Sequence, residues 1–286
     1  MKRFSLFKRS KHWIREDEGF ELSYCREKYH ITKELMNLSF LHVGKCGGTS
    51  LMQTFVQNGI KLNEYHLNWN RNKISENHFT WVRNPISRFV SAFNHSKTLL
   101  NFELDGLDPE ALTLKNCPSP GRVYNSFSRG YTFNPEYDEL INSFNTANEL
   151  AESMSSNNSE LKERALALMN SSNQHIFKGL GWYFKNGEMI SEKPTKLLMV
   201  GKMERMNADF KKLSNLLDIP ELKGVHEINQ IREGNVKLEK SMSKLAVNNI
   251  RNFYKASDYK TLAIFQRFGY IAQETLDEYH TYKFQS

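Results

Sequence analysis

The sequence predicts an α/β fold of three layers, a central parallel sheet flanked by helices, and three observations carry that prediction. Three times along the 286 residues a short apolar run ends in a turn and gives way to apolar positions three and four residues apart. The first of those turns is rich in glycine and carries a lysine, the composition of a loop that cradles phosphate where a strand passes into a helix. No internal repeat or low-complexity tract breaks the pattern. Strands that alternate with helices pair in parallel, because each crossover helix returns the chain to the end at which the strand began.

The first unit runs from Leu38 through Phe40 and Leu41 to Val43, stops at Gly44, and continues as a helical pattern from Thr49 to Val56. The second is His78 to Val82, halted by Pro85, after which Ile86, Phe89, Val90 and Phe93 mark one face of a helix. The third is Lys196 to Gly201, followed by Met203, Met206, Phe210, Leu213, Leu216 and Leu217 as far as Pro220. Between the second and third units the segment 101–160 is polar and carries Pro109, Pro118, Pro120, Pro135 and the break Ser155-Ser156-Asn157-Asn158. Its aromatic residues, among them Tyr124, Tyr131, Phe133, Tyr137 and Phe144, predict an insertion that packs over the sheet edge and shapes an acceptor pocket. A helical pattern from Leu245 closes at the glycine stop Gly269. Residues 1–286 therefore read as a single domain, with 1–36 as an N-terminal extension.

A hydrophobic content of 39% and a charged content of 25% are those of an ordinary globular chain. No stretch reaches the ~18 apolar residues of a membrane span, so no transmembrane segment is expected. Basic residues at Met1–Lys11 are followed by Glu16, Asp17, Glu18 and Glu21, where a signal peptide would have its apolar core. Cys25, Cys46 and Cys117 are too few and too scattered for a disulfide framework or a zinc site; they predict a reducing, cytoplasmic setting and no metal. The missing anchor in turn favours a bacterial or phage origin. Lysine and arginine number 39 against 32 acids, a formal charge of +7, which favours an anionic partner. No arginine-rich arm, zinc spacing or aromatic-basic ribonucleoprotein motif accompanies the charge, so nucleic acid is not the expected partner. A polyanionic small molecule or an acidic glycan is.

The segment His42-Val43-Gly44-Lys45-Cys46-Gly47-Gly48-Thr49-Ser50 carries the most chemistry. A glycine-rich turn entering a helix leaves several backbone N–H groups pointing outward, and the helix dipole reinforces their hold on phosphate oxygens. Lys45 precedes both glycines, whereas nucleotide-hydrolysing loops place lysine after the last glycine and before the hydroxyl residue. A nucleotide-dependent kinase is thereby disfavoured, and the fold is P-loop-like without the hydrolase signature. Arg83, at the end of the second strand, offers a fork matched to phosphate, and Ser91, eight residues on, offers a neutral hydroxyl.

Gly44-Lys45-Cys46-Gly47-Gly48-Thr49-Ser50 and Val82-Arg83-Asn84-Pro85-Ile86-Ser87-Arg88-Phe89-Val90-Ser91 together resemble the signatures of the sulfotransferases that use 3′-phosphoadenosine 5′-phosphosulfate (PAPS). The likeness is to the carbohydrate branch, of heparan and chondroitin type. Val200 to Glu204 with Asp209-Phe210 looks like the family's third strand and helix, and Tyr254 to Tyr259 with Phe268-Gly269-Tyr270 like its ending, so the likeness covers residues 38–270. Departures are Gly44 for proline, Cys46 for threonine, a lost hydroxyl that could weaken the donor's hold, and Asn84 for aspartate. The resemblance implies that Lys45, Gly47, Gly48, Thr49 and Ser50 hold the 5′-phosphosulfate while Arg83 and Ser91 hold the 3′-phosphate. Lys45 would also neutralise the charge that grows on the leaving phosphate.

The acceptor hydroxyl must lose a proton, and His66, between the two donor motifs where carbohydrate sulfotransferases often place a histidine, is the expected base. Glu64 in the same segment is the reserve, its ordinary pKa of about 4.3 suiting it only if desolvated. His42 is expected to pack beside the loop, Glu204 to order a helix start or Lys45, and His175 at most to line the pocket. The reading is a sulfotransferase acting on a carbohydrate or glycolipid hydroxyl, with a non-catalytic PAPS-binding module or a kinase as rivals. Oligomeric state and the position sulfated are not legible in the sequence.

Overall fold

The computed structural model describes residues 33–66, 77–104, 135–172, 174–192, 196–219 and 239–282. Its centre is a four-stranded sheet, β1 Lys33–Leu41, β2 Ile60–Tyr65, β3 Asn77–Val82 and β4 Leu197–Lys202, in the order β2-β1-β3-β4. Every pairing is parallel, with Leu41 beside Tyr65 on one flank and beside Thr80 on the other. The chain steps from β1 outward to β2 and then crosses to the opposite side of β1 for β3. That reversal leaves a crevice beyond the carboxyl ends of β1 and β3, the place where open α/β sheets take ligands.

The helices follow from the apolar spacing that heralded them. α1 Gly48–Gln57 buries Leu51, Met52 and Phe55 against the sheet, and α2 Pro85–Leu104 buries Ile86, Phe89, Val90 and Phe93. Phe79 is the hub: its ring lies 5.1 Å from Phe40 and 5.9 Å from Trp81, all three wholly buried. Burial of this kind, at roughly 25 cal/mol per Å² of apolar surface, drives the layers together.

The edge strand β2 has no counterpart in the sequence reading. Only Ile60 and Leu62 are buried along it, while Lys61 and Asn63 face outward, so the apolar signal spans just two side chains. Within the expected insertion the described part is helical: α3 Pro135–Asn142, α4 Ala147–Ser153 and α5 Ser159–Met169. Tyr137 and Phe144 belong to the core, and Asn158, read as part of a break, caps α5 by accepting from the Leu161 amide. Residues 105–134, with Tyr124, Tyr131 and Phe133, lie outside the described residues, as do Cys25, Cys117, Pro220 and residues 1–32 of the N-terminal extension.

Two short helices, α6 Leu180–Tyr183 and α7 Glu188–Glu192, precede β4, and α8 Met206–Leu216 follows it. The carboxy-terminal pattern is one helical path in two parts, α9 Lys244–Tyr254 and α10 Lys260–Arg267, joined by a wide π turn over Lys255–Tyr259. Gly269 ends α10 at φ 75°, and α11 Gln273–His280 then folds back toward β3.

Candidate active site

The loop between β1 and α1 adopts the backbone that a phosphate nest requires. Lys45 and Gly47 take left-handed φ angles of 69° and 83°, and the first bond back along α1 runs from the Leu51 amide to the Gly47 carbonyl at 3.2 Å. The amides of Gly48, Thr49 and Ser50 precede that bond, as helix-start N–H groups do. A non-glycine residue at φ 69° costs on the order of 1–2 kcal/mol, a strain the surrounding packing must hold. Cys46 turns inward: it is buried, its thiol points at the Gly44 carbonyl 3.9 Å away, and desolvation pushes its pKa up to about 12. Its side chain therefore belongs to the core, and the lost threonine hydroxyl leaves the outward face of the loop unchanged.

Arg83 leaves the end of β3 half-buried and donates from one guanidinium nitrogen to the Lys45 carbonyl at 3.4 Å, which sets the second donor motif against the first. Asn84 next to it does three things at once. Its Oδ1 accepts from the amides of Ile86 and Ser87 to cap α2, its own amide N–H donates to Glu204, and its Nδ2 donates to the Tyr279 carbonyl on α11. Glu204 completes the junction by accepting from the Tyr279 hydroxyl at 2.7 Å, so it orders the start of α2. Ser91 stands partly exposed on α2, one turn before the buried His95.

His66 follows β2 and is brought beside the loop by the parallel pairing, the His42 amide donating to the Tyr65 carbonyl at 2.8 Å. Its Nδ1 lies 2.8 Å from the His42 carbonyl oxygen. A carbonyl only accepts, so Nδ1 carries the proton and the lone pair of the neutral ring is on Nε2. The Tyr183 hydroxyl, 3.2 Å from the same nitrogen, braces the ring from α6. Burial foremost, and then the electrostatic influence of His42 and of Lys45, push the His66 pKa down to about 3 against the pull of Glu64.

His42 does pack beside the loop: its ring stacks on His66 with centroids 4.1 Å apart, and a Cβ on Gly48 would stand 2.0 Å from it. Its Nδ1 is hydrogen-bonded to Glu64 Oε1 at 2.5 Å, and burial pushes the Glu64 carboxyl up to about 8, opposed by His66. Glu64 is thus committed to His42. Beneath the site Arg88, 1% exposed, reaches the carbonyls of His175 and Ile176 and the carboxylate of Asp258 on the π turn. Burial works against its charge, but Tyr254 and Asp258 hold its pKa above the ordinary value.

The structure therefore brings Lys45, the glycines, Thr49, Ser50, Arg83 and His66 to one end of the sheet. Tyr183 went unassigned in the sequence, His175 was expected at most to line the pocket and Asp258 was given no role within the Tyr254–Tyr259 ending, because all three approach from segments more than a hundred residues after the loop. Among the described residues no cluster of three or more His, Cys, Asp or Glu could hold a metal ion, and no helix is long and apolar enough to cross a membrane.

No curated protein and no solved structure matches the chain. The family model described as the sulfotransferase family matches residues 28–270, which takes in all four described strands and both donor motifs. On that match, with the parallel sheet and the loop at its carboxyl end, the chain belongs to the sulfotransferase family.

Proposed function

We propose that the chain transfers a sulfuryl group from PAPS to a carbohydrate hydroxyl, with His66 as the general base. Sulfotransferases of this family take the group from PAPS, and the residues present suit that donor: a left-handed turn rich in outward amides, a lysine within it, and an arginine tied to the same turn. The observation that carries the reading is the ring of His66, held by its Nδ1–H on the His42 carbonyl two residues before Gly44, so that its basic Nε2 belongs to the same site as the loop.

Little covalent work falls to the protein. The acceptor oxygen bonds to sulfur as the sulfur–oxygen bond to the 5′-phosphate breaks, and the acceptor proton passes to His66 Nε2. Lys45 and the amides of Gly48 to Ser50 stabilise the charge gathering on the leaving phosphate. Arg83 and Ser91 hold the 3′-phosphate. A negative donor near His66 raises the proton affinity of an imidazole that burial has suppressed, which equips it as a base when the donor is bound. Glu64 fits the base role less well, since its carboxyl is engaged with His42.

A saccharide or glycolipid acceptor is favoured by the form of the donor motifs and by the formal charge of +7, which suits a glycan already bearing anions. The test is transfer of labelled sulfate from PAPS to neutral and acidic oligosaccharides beside simple phenols. Sugars are expected to be labelled; phenols labelled with no sugar product would refute the acceptor class. His66→Ala is expected to lower kcat by a factor of ~10²–10⁴ with the Kd of 3′-phosphoadenosine 5′-phosphate (PAP) within a few fold.

A further inference from the structure

We propose that His175 is a second catalytic imidazole, one that contacts the transferred sulfuryl group from above the start of the phosphate loop. The inference rests on the sulfotransferase reading and adds a residue that no motif marks. The ring of His175 covers Gly44 so closely that a Cβ there would stand 2.4 Å from its Nδ1. Gly44 is where the resembling sequences have proline, and neither proline nor any other residue with a Cβ fits beneath the ring as it lies. The glycine and the imidazole are thus a matched pair, the one giving up its side chain so that the other can lie on the loop.

The same ring has its centroid 5.4 Å from that of His66, the proposed base, and 5.4 Å from that of His95 on α2. A ring that lies on Gly44 and within 5.4 Å of the His66 ring is placed to reach a group that spans the loop and the base. Its backbone is fixed with unusual care for a loop residue. Arg88 donates to the His175 carbonyl at 2.7 Å and to that of Ile176 at 3.4 Å, and the Tyr254 hydroxyl donates to Ile176 at 2.5 Å. Arg88 and Tyr254 are each 1% exposed, and Asp258, 3.4 Å from Arg88, is buried with them. Buried groups so committed to two successive carbonyls hold the backbone that carries the ring, and a fixed backbone is the first requirement of a group aimed at a transition state.

In the transfer step the acceptor oxygen forms its bond to sulfur, the sulfur–oxygen bond to the 5′-phosphate breaks, the acceptor proton goes to His66, and PAP departs. An N–H of His175 hydrogen-bonds a non-bridging sulfuryl oxygen throughout, steadying the group while it is shared between two oxygens.

PAP lacks the sulfuryl group, so the test compares it with PAPS on the full chain carrying 15N-labelled histidine. PAPS is expected to shift the His175 ring signals and PAP to leave them nearly unmoved. His175→Ala should lower kcat at saturating PAPS by roughly 10²-fold, with the Kd of PAP within threefold, and His175→Gln, which keeps an N–H donor, should recover much of the loss. Gly44→Ala should cost wild type as much as His175→Ala does, and cost the His175→Ala variant little more. Turnover of His175→Ala within threefold of wild type, PAP affinity falling in step with turnover, or ring signals indifferent to PAPS when PAPS is bound would each overturn the proposal. A wild-type chain that binds neither PAP nor PAPS would instead overturn the donor-site reading beneath it.

Discussion

At the scale of single residues the site is governed by desolvation. Glu64 and His66 are pushed in opposite directions, the carboxyl up to about 8 from 4.5 and the imidazole down to about 3 from 6.5, with burial the first cause of both. Between pH 4.5 and 8 the native Glu64 retains a proton that the unfolded chain has released, so its contribution to stability falls as pH rises through that window. Below 6.5 the unfolded His66 takes up a proton that the native ring refuses, so stability falls as pH drops. The two slopes oppose one another from 4.5 to 6.5 and leave Glu64 alone above it. Wild type should therefore lose stability from pH 6.5 to 8, by at most about 1.4 kcal/mol per pH unit, while Glu64→Gln holds nearly level. Thermal midpoints of the two proteins across that range check this, and parallel curves would show that Glu64 ionises normally in the fold.

At the scale of elements, the starts of helices were the most legible feature and the edge strand the least. α1 and α2 announce themselves because each buries a stripe of large apolar residues over several turns; α8 buries only Phe210 and Leu213 of its expected stripe, and Leu216 is exposed. β2 shows two buried side chains and the helices α3 to α5 sit among prolines and polar runs, so their tertiary partners, not their own periodicity, define them. The loop and Arg83 were readable because their chemistry is local. What the sequence could not convey is the junction of α2 with α11, where Asn84 both caps a helix and donates to the Tyr279 carbonyl 3.4 Å away. An aspartate, the residue of the resembling sequences, would keep the cap but set a carboxylate oxygen against that carbonyl. Asn84→Asp should accordingly cost about 1–3 kcal/mol, read as a fall in the urea midpoint at neutral pH. An unaltered midpoint would mean that α11 is held without the amide.

At the scale of the whole molecule, the buried pair of Arg88 and Asp258 joins the donor side to the carboxy-terminal helices. Asp258 accepts from the Gly181 amide at 2.9 Å and faces Arg88 at 3.4 Å, so one pair ties α2, α6 and the π turn together. Arg88→Met leaves the Asp258 carboxylate without its cation and should cost about 3–5 kcal/mol in denaturant unfolding, with Asp258→Asn in the same chain restoring part of it. Equal stability of the double and single variants would show that the arginine's carbonyl bonds, not the ion pair, carry the effect. The sheet order has a further consequence. The loop after β1 issues from a strand paired on both sides, whereas His66 follows β2, which among the described residues pairs with β1 alone. Amide exchange should therefore be faster along Ile60–Tyr65 than along β1 and β3. The two sides of the crevice should then differ in how readily they breathe, the edge bearing β2 opening in brief excursions while the turn after β1 stays closed.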